Sequence, residues 1–177
     1  MSNDLWATPP EVIDYIENRF GEIRIDLCAS DECHVCNEYL DEDCDFLDDS
    51  WMAYCGEEFN VNVGDLCWIN PPYSNPLPFV KQAIKWSEAG YAVAGILNND
   101  PSTKWYVELE ASAAIIMPII GGRIAFLDDK GDPIGSNNKP QLMFYLAPFG
   151  SKTKSVEHVH IYEIYPNGKP KKNKVAK

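Results

Sequence analysis

No stretch of about 18 consecutive apolar residues occurs in this chain, and that length is what a hydrocarbon-spanning helix needs. A membrane partner is therefore not expected. The opening residues, Met1-Ser2-Asn3-Asp4, carry neither the basic nor the apolar portion of a secretory leader, so a cytoplasmic protein is the expectation. Positive charge is scarce: 15 Lys and Arg stand against 27 Asp and Glu, a formal net charge of −12. Bulk charge therefore cannot hold this molecule to a polyanion. Any phosphate contact must come from local cation clusters, with modest affinity and strong salt sensitivity. Cys33-x-x-Cys36 has no second pair at similar spacing, although there are six cysteines in all, the last at Cys67. A closed zinc site would need Cys44 and Cys55 brought in by the fold. The plainer reading is small buried thiols in a reducing cell, with no metal and no disulfide. No internal repeat is present.

What is present suits one globular domain. The chain has 177 residues, of which 45% are hydrophobic and 24% charged. Acids crowd Asp31 to Glu58, and five lysines without an acid lie between Lys169 and Lys177. Residues 1–165 are expected to form the domain and 166–177 a basic, disordered tail.

Thr8-Pro9-Pro10-Glu11 opens a helix: Thr8 is placed to cap, proline suits the first turn, and Glu11 follows as in a capping box. Val12, Ile13, Ile16 and Phe20 give its apolar face, and Gly21 stops it. Residues 23–27 alternate like a short strand. Residues 31–62 have no clean period and read mostly as loop. Residues 63–70 read as a buried strand cut off by Pro71-Pro72. A helix over 78–89, a strand over 91–97, a helix over 102–111 and a strand over 113–117 follow. Strand–helix alternation implies parallel strands joined by helical crossovers. Residues 123–127, 142–147 and 156–165 read as further strands.

Asn70-Pro71-Pro72-Tyr73 is the sharpest signal. It directly follows a buried strand and so lies at the carboxyl edge of the sheet, where open α/β sheets bind ligands. The Asn70 side-chain oxygen and the Pro71 carbonyl are acceptors, and the two prolines stiffen the loop and remove competing donors. Tyr73 offers an aromatic face, with Ser74 beside it. Such a loop can hold the hydrogens of a planar conjugated amine and stack on a base flipped from its helix. Positioning does the work, without a covalent intermediate or a metal. A proline-rich turn with no further role is the alternative.

With these residues, the chain from Trp6 to Pro148 resembles the small phage and prophage DNA N6-adenine methyltransferases, often called Dam-type. Asn70-Pro71-Pro72-Tyr73 looks like their catalytic motif. Trp6-x-Thr8-Pro9-Pro10-Glu11 looks like the N-terminal motif that meets the methionine end of the methyl donor in amino-methyltransferases of similar motif order. Asp26-Leu27-Cys28-Ala29-Ser30 sits where they have Asp-x-x-Ala-Ser. Trp51, the segment Asp100 to Tyr106, and Gly122-Arg123-Ile124-x-Phe126 are also similar to family segments. The glycine-rich Phe-x-Gly-x-Gly turn of larger methyltransferases is absent, and Cys33 stands where relatives often have Asn.

The resemblance implies a Rossmann-like class I methyltransferase fold: a mixed, mostly parallel sheet with helices on both faces and a C-terminal antiparallel hairpin. It implies S-adenosylmethionine as cofactor and double-stranded DNA as partner, for a monomer or a homodimer. It places Asn70, Pro71, Pro72 and Tyr73 in catalysis. It places Trp6, Thr8, Pro9, Asp26, Cys28 and Ala29 at the donor. Residue type and position add Asp45, suited to the donor ribose as an acid is in dinucleotide sites, and Asp65, just before the loop, to the donor side, and set Ser74, Lys104, Arg123 and Lys139 toward the DNA. Asp26 is otherwise a helix N-cap or turn aspartate, Asp45 a solvated carboxylate, Asp65 a turn cap, and each of the three cations a solvated charge. Methyltransferases of protein glutamine or RNA guanine share the tetrapeptide, so the loop alone does not separate those acceptors from adenine. An acidic, non-catalytic DNA mimic is the reading outside enzymology.

Overall fold

The computed structural model describes residues 6–128, 130–135, 137–150 and 154–170. Helix α1 (Pro10–Phe20) has proline in its first turn and ends at Gly21, whose φ of 106° favours glycine. Strand β1 (Ile23–Asp26) follows. The acidic stretch then runs mostly as loop, pinned down by buried Leu40, Phe46 and Val61, and contains α2 (Ser50–Glu58). The middle of the chain is β2 (Leu66–Ile69), α3 (Leu77–Glu88), β3 (Ala92–Asn98), α4 (Lys104–Ser112) and β4 (Ile115–Ile120). After a long loop come β5 (Gln141–Leu146), β6 (Ser155–Val156), β7 (Val159–His160) and α5 (Ile161–Ile164).

The strand order is β1-β2-β3-β5-β4-β6, with β7 also on β4. β1, β2 and β3 run parallel, as do β6 and β7 with β4. β5 is slotted antiparallel between β3 and β4, so it and β4 form the expected antiparallel pair. Alternation along the strands divides the core in two. Cys67, Ile69, Val93, Leu97 and Phe144 face the side of α2, α3 and α4. Trp68, Ala94, Ile96 and Met143 face α1 and α5. Helices thus cover both faces. Among the described residues, no helix is long and apolar enough to cross a membrane.

Three local expectations are corrected. Thr8 caps nothing: the cap position is Pro9 and no side chain bonds there, because buried Thr8 turns toward a cavity instead. Residues 123–127 are extended but belong to no strand. Side chains take the backbone groups of 124 and 125: the Ile124 amide donates to Gln141 Oε1 (3.4 Å), the Ala125 amide to the Tyr165 hydroxyl (3.2 Å), and Asn137 Nδ2 donates to the Ile124 carbonyl (2.9 Å), while Leu127 forms only isolated bridges to Ala7 and Pro133. The expected last strand breaks into β6, β7 and α5, since His160 and Glu163 form a capping box that starts a helix at Ile161. Of the expected basic tail, 171–177 lie outside the described residues.

Candidate active site

The parallel strands β1, β2 and β3 all end at one edge of the sheet, and two cavities open there. β4 is parallel to β3, since both oppose β5, so the loop after β4 and the segment entering β5 reach the same edge. Asn70 leaves β2 at that edge, and its Nδ2 donates to the Trp6 carbonyl at 3.1 Å. That bond uses the amide nitrogen and fixes the orientation of the carboxamide, leaving Oδ1 to accept from outside.

The smaller cavity, about 80 Å³, is bordered by Trp6, Thr8, Asp26, Cys28 and Asn70, and closed by Ser30, Cys33 and Val35. Asp26, at the end of β1, is 4% exposed. Its two oxygens accept from the Cys28 and Val35 amides, each at 3.2 Å. Burial pushes its carboxyl up to about 6, against the pull of those two amides and of His34. A buried carboxylate in no ion pair among the described residues suits a cationic ligand, the ammonium of an amino-acid donor. Burial and the Asp26 charge push the Cys28 and Cys33 thiols up, which keeps them protonated. The zinc reading finds no support in the geometry: His34 stacks on Tyr39 at 4.5 Å and its Nδ1 meets the Cys36 carbonyl at 2.8 Å. No group of three His, Cys, Asp or Glu among the described residues is placed to hold a metal.

The larger cavity, about 370 Å³, lies between the end of β2 and the end of β3. Tyr73 borders it from the motif side, and Asn98, Asn99 and Asp100 from the other, with Trp105 and Lys139 completing it. The Tyr73 ring meets Phe126 edge-on at 6.1 Å. Its hydroxyl is buried and has no hydrogen-bond partner among the described residues, and burial pushes it far above the usual tyrosine range. The carboxamides of Asn98 and Asn99 make no hydrogen bond among the described residues.

The structure therefore brings Trp6, Thr8, Asp26, Cys28 and Asn70 together, and Tyr73 with Lys139. Pro9 precedes α1 next to Thr8, Ala29 holds the loop by donating to the Leu40 carbonyl at 3.0 Å, and Pro71 and Pro72 link the two cavities. It does not bring Asp45 to either cavity. Asp45 is exposed, at a positive φ of 31°, and accepts from the Leu47 amide at 3.1 Å. Asp65 lies at the amino end of β2, the far edge of the sheet, where it accepts from the Asn62 amide at 2.8 Å. Ser74 is an exposed turn residue after the motif, Lys104 an exposed residue at the start of α4, and Arg123 lines a separate groove. Asn98 and Asn99 carry no expected role in the sequence, and Trp105 enters only as part of the segment Asp100 to Tyr106. A polar triplet immediately after an apolar strand was the available signal.

The whole arrangement has relatives. The model of the family described as DNA N-6-adenine-methyltransferase (Dam) matches residues 1–170. A protein named DNA N-6-adenine-methyltransferase from Escherichia phage T1 is 33% identical over 190 residues, covering 98% of this chain and 76% of the relative. One of the same name from Haemophilus phage HP1 is 36% identical over 171 residues, covering 93% of this chain and 91% of the relative. With a match across nearly its whole length and the motif loop at the carboxyl edge of the sheet, this chain belongs to the DNA N-6-adenine-methyltransferase (Dam) family.

Proposed function

We propose that this protein transfers a methyl group from S-adenosylmethionine to N6 of adenine in double-stranded DNA. The observation that carries this reading is the position of Asn70-Pro71-Pro72-Tyr73. Asn70 borders the 80 Å³ cavity and Tyr73 the 370 Å³ cavity, so one loop joins a place for a cationic donor to a place for a planar base.

The residues fit the cofactor. Asp26 is a buried carboxylate in want of a cation and would hold the donor ammonium, with Trp6, Thr8 and Cys28 shaping the methionine end. When bound, S-adenosylmethionine supplies an electrophilic methyl group. Asn70 Oδ1, aimed by the Trp6 bond, and the Pro71 carbonyl accept the hydrogens of the adenine amine and present its lone pair. Tyr73 stacks on the base, held edge-on by Phe126. The Asn98 and Asn99 carboxamides each offer a donor and an acceptor, the complement of an adenine edge.

The cations support DNA as the partner. Arg19, Arg24, Lys81 and Lys85 are held in ion pairs with Glu157, Glu22, Glu108 and Asp49. Lys104, Lys130, Lys139 and Arg123 make none among the described residues, and all four follow β3 or β4 or precede β5 at the catalytic edge. Among the described cations that make no ion pair, only Lys154, just before β6, lies at the opposite edge; most of the unpaired positive charge is gathered where phosphates would approach, in a molecule that is otherwise acidic.

The test is transfer of labelled methyl from S-adenosylmethionine to unmethylated duplex DNA at low salt, followed by nucleoside analysis. Label in N6-methyladenine is expected. Label in another nucleoside, or in protein, would replace adenine as the acceptor. Asn70→Ala should lower turnover by at least 100-fold while donor affinity, read by calorimetry, stays within about threefold, in line with a role in positioning.

A further inference from the structure

A third concavity lies at the catalytic edge, outside the two already described. It is a groove of about 440 Å³ between the loop that follows β4 and the segment leaving α5. Arg123 and Lys169 are on it, with Asn137 beside them and Pro133 and Ile134 as an apolar floor. Neither cation has an ion pair or a hydrogen bond among the described residues. Burial, and then the neighbouring Arg123 charge, pull the Lys169 ammonium below the ordinary lysine range. Two like charges close enough to feel each other, in a chain with 27 acidic residues, lack the carboxylate that would neutralise them. Such a pair is stabilised by an anion that arrives from outside.

The groove is built on fixed backbone. Asn137 holds the Ile124 carbonyl and Tyr165 the Ala125 amide. The Ile134 amide donates to the Phe126 carbonyl at 2.7 Å. Phe126 in turn packs against Tyr73 at 6.1 Å and Trp6 at 5.8 Å. The short run from Asn137 to Pro140 separates the groove from the 370 Å³ cavity, with Asn137 on one side and Lys139 and Pro140 on the other. An anion in the groove is therefore held at a set offset from the place of the base.

We infer that the groove is a sugar–phosphate site: Arg123 and Lys169 clamp one phosphodiester of the DNA backbone beside the target adenine, and Pro133 and Ile134 pack against its sugar. The inference rests on the DNA-methylating reading above. The guanidinium fork matches two phosphate oxygens, while the ammonium adds a point charge. The groove is roomy enough for a sugar as well as its phosphate. The same chemistry would suit the phosphate of a free nucleotide, and the test separates the two.

Binding of an unmethylated duplex is measured by fluorescence anisotropy from about 50 to 200 mM salt, without donor and so without chemistry. Arg123→Ala and Lys169→Ala should each make the slope of log K against log salt shallower by about 1, and the double variant by about 2. In methyl transfer the double variant should raise KM for DNA by tenfold or more, with a much smaller change in kcat. Arg123→Lys should recover the salt slope and only part of the affinity, because it restores charge without the fork. Wild-type slope and KM in the double variant would overturn the clamp. So would a raised KM with an unchanged slope, since that pattern marks a structural defect. A deoxynucleoside monophosphate that binds the wild type and not the double variant, with equal DNA slopes, would make the groove a nucleotide site instead. Because the slope is read without turnover, a lack of N6-methyladenine would sink the proposed reaction and leave this measurement standing.

Discussion

At the scale of single residues, Asp26 sets the pH behaviour. Its carboxyl is raised from 3.8 to about 6 in the fold, chiefly by burial. The folded protein thus binds a proton more readily than the unfolded chain. The stability this contributes is present below about pH 4 and is lost as pH rises through 6. Two units correspond to about 3 kcal/mol at neutral pH. An arriving ammonium reverses the argument, because it favours the ionised form. Donor affinity should therefore weaken as pH falls below 6, by up to about tenfold per unit, as a proton must leave on binding. Calorimetry with S-adenosylmethionine at pH 5, 6 and 7.5 reads this directly, and a flat profile would remove Asp26 from the donor site. In Asp26→Asn the fall in unfolding free energy between pH 4 and 6 should vanish, along with donor binding. Asp26 was legible in the sequence because it ended a short strand just before small residues. Asp45 and Asp65 were not separable from it by residue type. Only the backbone decides: a left-handed turn consumes Asp45 and the far edge of the sheet holds Asp65.

At the scale of elements, the Asn70–Tyr73 loop depends on how closely β2 and β3 approach. Gly95 of β3 pairs with Ile69 of β2, the residue before Asn70. A Cβ at Gly95 would lie 2.5 Å from the Ile69 carbonyl oxygen and 2.6 Å from Phe144 Cζ. Neither can yield without moving the end of β2. Gly95→Ala should cost about 1–3 kcal/mol as overpacking, read by urea unfolding. It should also lower methyl transfer more than the loss of folded protein explains, because Asn70 moves with Ile69. Wild-type stability and activity together would show that the strands relax. The alternating middle of the chain was readable because glycine and proline punctuate apolar runs of the right lengths. The last third was not. Residues 123–127 carry a strand's alternation, yet Ile124 and Phe126 are buried by a strip whose backbone is met at 124 and 125 by the side chains of Gln141, Tyr165 and Asn137 and at Leu127 by isolated bridges alone. Ile161, Ile164 and Tyr165 are as well spaced for a helix as for a strand, and the His160–Glu163 cap decides between them.

At the scale of the whole molecule, a net charge of −12 sets bulk repulsion from DNA against local attraction at one edge. The two respond oppositely to salt. Repulsion between two polyanions is screened as salt rises, so affinity would increase if net charge governed the encounter. Counterion release from phosphates held by individual cations makes affinity decrease instead. Among the described residues, Lys104, Arg123, Lys130, Lys139 and Lys169 make no ion pair and lie at the carboxyl edge of the sheet, Lys139 within reach of the Asp100 charge, and the ion-paired cations lie elsewhere. The local term is expected to win, because the Debye length near 10 Å at 0.1 M salt hides distant acids while a phosphate in direct contact is barely screened. The slope of log K against log salt should be negative, and no steeper than about −4 to −5 if all five cations meet phosphates. A steeper slope would show that the lysines beyond residue 170 also engage DNA, and a C-terminal truncation at Pro170 would then bring it back. A slope at or above zero would mean that the acidic surface dominates, and the protein would then be a DNA mimic that uses its negative face against a DNA-binding partner.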